Sequence, residues 1–109
     1  MSDHPVGTKG PLDGLRVIDW TMWQFGPVST MMLADMGAEV VKVEAPGGYE
    51  SRDLGTIYWS AYNRGKKSIT LNLRSPEGVS ILKSLIPTTD MILQNFRPGV
   101  MSKMGLGYE

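Results

Sequence analysis

The sequence predicts an α/β domain, a mostly parallel open sheet with helices packed on its faces. Three observations predict it. Short β-branched, apolar runs alternate along the chain with segments of helical period. The helical segments open on proline signals, Gly26-Pro27 and Ser75-Pro76. Finally, 109 residues suffice for one core and not for two. Strand, helix, strand, helix, strand in that order is the pattern of a parallel sheet.

Each element has its own reason. Leu15 to Trp20 is rich in β-branched and aromatic residues and reads as a buried first strand over 15–20. Pro27 suits the first position of a helix, where its missing N–H costs nothing. Val28, Met32 and Met36 then form an apolar stripe over 27–36 that Gly37 stops as a C-terminal cap. "EVVKV", residues 39–43, is a second strand, ended by Ala45-Pro46-Gly47-Gly48. Residues 47–55 read as a surface loop, and "IYWSAYN", 57–63, as a short helix with its aromatics turned inward. The alternation across 67–73 predicts a third strand with one polar face. Ser75 is an N-cap, Pro76 the first helical residue and Glu77 a favourable first-turn acid, so a helix should run over 76–86. Val79, Ile81, Leu82, Leu85 and Ile86 should give it a wide buried face. It stops near Pro87, and "DMILQNF" supplies a fourth strand over 90–95. No repeat or low-complexity segment interrupts the pattern.

Composition excludes several functions. There is no cysteine and a single histidine, His4. A disulfide, a thiolate nucleophile, a histidine triad or a cysteine–histidine metal site cannot be built from these residues. No apolar run approaches the ~20 residues of a membrane span. MSDHPVGTKG, residues 1–10, lacks a signal-peptide core and is expected to be a loose tail of a cytoplasmic protein, leaving 11–109 as the folded part. Net charge is zero, which argues against nucleic acid as a partner. Yet Arg64, Lys66, Lys67 and Arg74 crowd a stretch free of acids, with Arg97 and Lys103 beyond. That segment suits a local anionic ligand, or is a solvated surface.

Right-handed crossovers place every strand-to-helix loop on one edge of such a sheet, where ligands of these folds bind. The first of these loops carries Trp23, Gln24 and Phe25, and its helix aims N–H groups at any anion there. It lacks the G-x-G-x-x-G spacing of a dinucleotide site. Gln24 can polarise a carbonyl or simply satisfy loop backbone groups. Trp23 and Phe25 can stack on a ring or cap the core. Glu44 ends the second strand where a ribose-binding acid would stand, or is merely solvated. Asn95, Phe96 and Arg97 close the fourth strand on the same edge.

Three blocks, "PLDGLRVIDWT…GP…LADMGAEVVKVEAPGG", "NRGKKSITLNLRSPEG" and "NFRPGVMSKMGLGYE", together resemble the N-terminal segment of the family III CoA-transferases, the formyl-CoA transferase and carnitine/bile-acid type. The likeness runs from about Pro11 to Glu109. It implies a Rossmann-like domain, the N-terminal part of a chain several times longer, and an interlocked homodimer. It implies coenzyme A as the cofactor-like substrate, with an acyl-CoA and a carboxylic acid as partners and no metal. CoA would pass between acids through an aspartyl-CoA intermediate whose aspartate lies beyond Glu109, so the segment alone is expected to be inactive. Asp19 is expected inside the first strand and not as that nucleophile.

Carried over by the resemblance, Gln24 matches a glutamine beside the catalytic carboxylate, flanked by Trp23 and Phe25. Leu71, Asn72, Leu73 and Arg74 match a CoA-contacting strand end. Asn95, Phe96 and Arg97 match the next contact loop, and Lys103-Met104 a basic-apolar pair after it. Arg74 and Lys103 would pair with CoA phosphates. Ala45 departs from the pattern, which has an arginine there in formyl-CoA transferase, so either one phosphate contact is lost or a neighbouring cation such as Arg52 or Arg64 supplies it. Two alternatives share this N-terminal pattern: an α-methylacyl-CoA racemase, whose loop is richer in Gly-Pro and lacks Gln24, and a non-catalytic CoA-binding fragment.

Overall fold

The computed structural model describes residues 10–47 and 56–108, Thr56 by its backbone alone. The loop expected over 47–55 and the tail ahead of Gly10 therefore lie outside the described residues, Gly47 excepted. Strands β1 (Arg16–Trp20), β2 (Glu39–Glu44), β3 (Lys67–Thr70) and β4 (Met91–Gln94) alternate with helices α1 (Phe25–Asp35), α2 (Thr56–Asn63) and α3 (Pro76–Leu85). A 3₁₀ turn, Ile86–Thr88, follows α3, and a short helix α4, Val100–Lys103, follows β4. The sheet is fully parallel in the order β3-β2-β1-β4. Chain order reverses between β1 and β4, so the crevice at their carboxyl ends is the topological switch point.

Alternation along the strands gives the one sheet an apolar layer on each face. Val17 of β1 and Val40 of β2 pack with Ala38 beneath Leu33 and Ala34 of α1. Ile18, Trp20 and Val43 face the other way and meet Leu71, Leu73 and Leu82 on the α3 side. Val17 and Ile18 are both 1% exposed, as expected of a strand covered on both faces.

The helices end as their residues dictate. Gly37 takes φ +105° and donates its N–H to Ala34 O at 3.0 Å, closing α1 in the left-handed conformation that glycine adopts without penalty. The Ser75 hydroxyl caps α3 by accepting from Gly78 N at 3.1 Å. α3 then sits hard against the turn before it: a Cβ on Gly78 would lie 1.9 Å from Asn72 O. Gly78→Ala must push the helix off that carbonyl and is expected to cost about 1–3 kcal/mol. Urea denaturation of the variant measures it, and an unchanged midpoint would show that the turn yields freely.

Three expectations need correcting. The third strand ends at Thr70 and not at Leu73, because β2, its ladder partner, ends at Glu44 opposite Thr70. The buried face of α3 is narrower than its pattern: Leu82 is buried, but Ile81 is 47% exposed and Ile86 37%. Of the α2 aromatics, Trp59 and Tyr62 turn partly inward, while Tyr58 and the neighbouring Ile57 are exposed.

Candidate functional site

A cleft of about 600 Å³ opens at the carboxyl ends of β1, β2 and β3, on the α3 face. That volume suits a small-molecule site. Trp20, Met22, Val43, Leu71, Leu73, Phe96 and Met104 give it apolar walls. Phe96 meets the Trp20 indole edge-on, with centroids 4.7 Å apart, which fixes the wall at the switch point. Arg74 is the one charged side chain among the described lining residues, and Asn72 lines the cleft beside it. The Asn72 carboxamide oxygen accepts from Arg74 N at 3.1 Å, a local turn that sets where the guanidinium starts. The result is a greasy slot with a cation at its mouth, suited to a ligand with a flat apolar part and an anionic group.

Beside the slot, the β1–α1 loop crosses from one sheet face to the other. Met22 lines the cleft, whereas Trp23, Gln24 and Phe25 stand exposed at the head of α1. Trp23 has φ +67°, a conformation costly for a residue with a bulky side chain. Gln24 occupies the N-cap position without capping the helix through its side chain, so its amide is directed to no backbone donor of α1.

Under this loop lies a buried ionic cluster. Asp19 is 0% exposed. Its carboxylate accepts from Lys66 Nζ at 2.7 Å, Thr30 Oγ1 at 2.6 Å, Thr21 N at 3.0 Å and the Thr21 hydroxyl. Lys42 Nζ, 1% exposed, stands 3.9 Å from the same carboxylate and 5.5 Å from the Trp59 ring centroid. Burial pushes the Asp19 carboxyl up. The Lys42 charge and the hydrogen bonds from Lys66, Thr21 and Thr30 together outweigh it, leaving the group below the usual carboxylate range. Asp19 is thus inside the first strand, ionised and saturated with donors, the opposite of a nucleophile's setting.

Of the residues singled out in the sequence, the structure gathers Leu71, Asn72, Leu73, Arg74, Phe96 and Met104 around the slot. Lys103 is exposed one residue before Met104. Arg97 is exposed on the loop after β4. Asn95 does a different job from a free contact: its amide donates to Met22 O at 2.8 Å and accepts from Met22 N at 3.0 Å, bolting the β1–α1 loop to the end of β4. Glu44 is not a solvated strand end. It is 8% exposed and accepts the Ser68 hydroxyl. Ala45 lines the cleft. Arg64, offered as its substitute, pairs with Asp35 at 2.8 Å, at the amino-terminal edge of the sheet and away from the cleft; Arg52 lies outside the described residues. Sequence reasoning missed Trp20, Met22, Val43 and Pro46 as lining residues and missed the lysines beneath the loop. Lys42 sits among the valines of β2 with Asp19 as its register partner, a pairing that only the assembled sheet reveals.

Among the described residues no three His, Cys, Asp or Glu side chains group as metal ligands, and no helix is long and apolar enough to cross a membrane. The family model described as CoA-transferase family III matches residues 12–109. The chain belongs to that family. Succinyl-CoA–D-citramalate CoA-transferase of Chloroflexus aurantiacus is 47% identical over 107 residues, 91% of this chain and 27% of the relative. Succinyl-CoA:glutarate CoA-transferase of Mus musculus is 46% identical over 107 residues, 91% of this chain and 24% of the relative. Among solved structures, Rv3272 from Mycobacterium tuberculosis superimposes with a TM-score of 0.87 at 45% identity, over 91% of this chain and 29% of that one. The chain thus spans roughly a quarter of the length of the relatives it matches. Family III membership and the parallel α/β sheet both agree with what the three sequence blocks and the strand–helix alternation predict.

Proposed function

We propose that this chain supplies part of the coenzyme A site of an enzyme that moves CoA between an acyl-CoA donor and a carboxylic acid. The observation that carries the reading is the apolar slot with Arg74 at its mouth, at the carboxyl ends of the strands in a family III chain. CoA has the matching chemistry, a flat adenine for the apolar walls and phosphates for the cation. Arg74 and Lys103 donate to the phosphates as charge-assisted hydrogen bonds. The acyl end crosses by way of Met22 to the exposed loop, where Gln24 meets the thioester between Trp23 and Phe25. The covalent aspartate is none of the described ones; Asp19 is committed to its lysines and threonines. The enzyme works as a homodimer in the cytoplasm, and its partners are the acyl-CoA and the acceptor acid.

Calorimetry with CoA on the complete protein tests the site. Arg74→Ala and Lys103→Ala should each weaken binding by about 1.5–3 kcal/mol, the worth of a hydrogen bond to a charged group. The loss should shrink as salt rises, because contacts at an exposed mouth are screened. An unchanged Kd in both variants would place the phosphates elsewhere.

A further inference from the structure

We infer that the buried Asp19–Lys42–Lys66 cluster positions the Gln24 loop, and that holding this loop, more than stabilising the fold, is what the three charges do.

The loop is gripped at both feet. Lys42 Nζ donates to Thr21 O at 2.9 Å, and Lys66 Nζ donates to Pro27 O at 2.9 Å. The two carbonyls flank the loop, one where β1 ends and one in the first turn of α1. Asp19 ties the lysines together and holds Thr21 and Thr30 itself. The grip is tight on the helix side: a Cβ on Gly26 would fall 2.3 Å from the Thr21 Cβ, so the first turn of α1 is seated directly on Thr21. The Asn95 clamp on Met22 closes the remaining side. The side chains of Trp23, Gln24 and Phe25 alone stand clear, as an exposed arch on a fixed base. The left-handed Trp23 lies in this arch, and a strained residue persists only where its surroundings over-determine it.

The choice of side chains supports positioning over stability. A buried ion cluster is weak support for a fold, since apolar residues of similar volume often serve as well or better. What apolar residues cannot do is donate to two backbone carbonyls at once. A lysine ammonium has three donors, and Lys66 spends them on Asp19, Pro27 O and Asn63 Oδ1. Positioning of this kind matters at a reacting centre, where a displacement of about 1 Å can cost about a hundredfold in rate.

The test replaces the cluster without leaving an unpaired charge. In the complete protein, Asp19→Asn, Lys42→Met and Lys66→Met are made together. The asparagine keeps an acceptor for Thr21, and the methionines keep most of the lysine volume. The expected result is a melting temperature within about 5 °C of the parent. Amide exchange at Met22 and Val28, the two bonded N–H groups flanking the arch, should quicken by about tenfold or more while β1 and β2 amides keep their rates. Succinyl-CoA and glutarate serve as probe substrates. If they turn over, kcat should fall by about tenfold or more with KM for succinyl-CoA little changed. A triple variant that fails to fold, or that speeds exchange evenly over the sheet, would make the cluster structural and overturn the inference. So would a folded variant with unaltered exchange at Met22 and Val28. The exchange result does not depend on the transferase reading, so a parent protein inactive on the probe pair would count against the assigned chemistry and leave the positioning result standing.

Discussion

Asp19→Asn on its own should destabilise the domain by about 3–5 kcal/mol, the cost of removing one partner from a buried ion pair. The single substitution differs from the triple one because it leaves Lys66 and Lys42, whose side chains are 2% and 1% exposed, without their counter-ion. The cost should depend on pH. The folded Asp19 carboxyl lies below its ordinary value, since the Lys42 charge and the hydrogen bonds outweigh burial. A depressed folded value means that the unfolded chain takes up the proton first as pH falls. The stability that Asp19 contributes is therefore fully present above the unfolded value of about 3.9. It drains away as pH drops from there through the lower folded value. Urea unfolding of parent and variant at neutral pH and in acid should show a gap that narrows only on the acid side. A gap that is constant across that window would mean that Asp19 titrates alike in both states and that the cluster does not hold it ionised.

That acid window separates Asp19 from Glu39. Glu39 is also held below its ordinary range, by hydrogen bonds from Lys67 and Arg16. Its side chain is a third exposed, however, and surface pairs contribute at most about 1 kcal/mol. Glu39→Gln should leave most of the acid dependence in place.

The sequence carried the elements well and their limits poorly, for a reason visible at β3. Alternation in Ile69, Leu71 and Leu73 continues past the end of the ladder, and all three side chains still face the α3 core. The strand stops because its partner stops, a fact that lives in β2 and not in β3. The same holds for α3: its stripe includes Ile81 and Ile86, but period alone does not say what covers each turn. At the site, Leu71 to Arg74 was legible only through the family resemblance, and the structure places all four residues around the slot. Lys42 and Lys66 were not. A lone lysine reads as solvated, and the acid that draws each one inside lies far away along the chain. Asn95 has a structural role that the sequence did not reveal: its amide donates to and accepts from the backbone of Met22, a partner 73 residues away along the chain.

Gln24→Ala should leave CoA affinity nearly intact and lower turnover by about 10²–10³-fold, the effect of removing one preorganised donor from a developing negative charge. The reasoning starts from where the residue stands. Gln24 is exposed on the loop beyond the apolar slot and does not line it; with the adenine in the slot, as proposed, the amide would meet the acyl end of the ligand. Its side chain does not cap α1, and the loop that carries it is anchored at Thr21, Met22 and Pro27. An amide held in this way gains little by binding the ground-state thioester. Its contribution grows when charge builds on the carbonyl oxygen, and such interactions raise kcat without tightening substrate. Arg74→Ala should do the reverse, because phosphates carry the same charge before and during reaction; its loss falls on binding and leaves kcat largely unchanged. Steady-state kinetics of the two variants, with CoA calorimetry alongside, separate the roles. Should Gln24→Ala weaken CoA and spare kcat, the amide holds the ligand in place and the transition-state charge is stabilised by other groups.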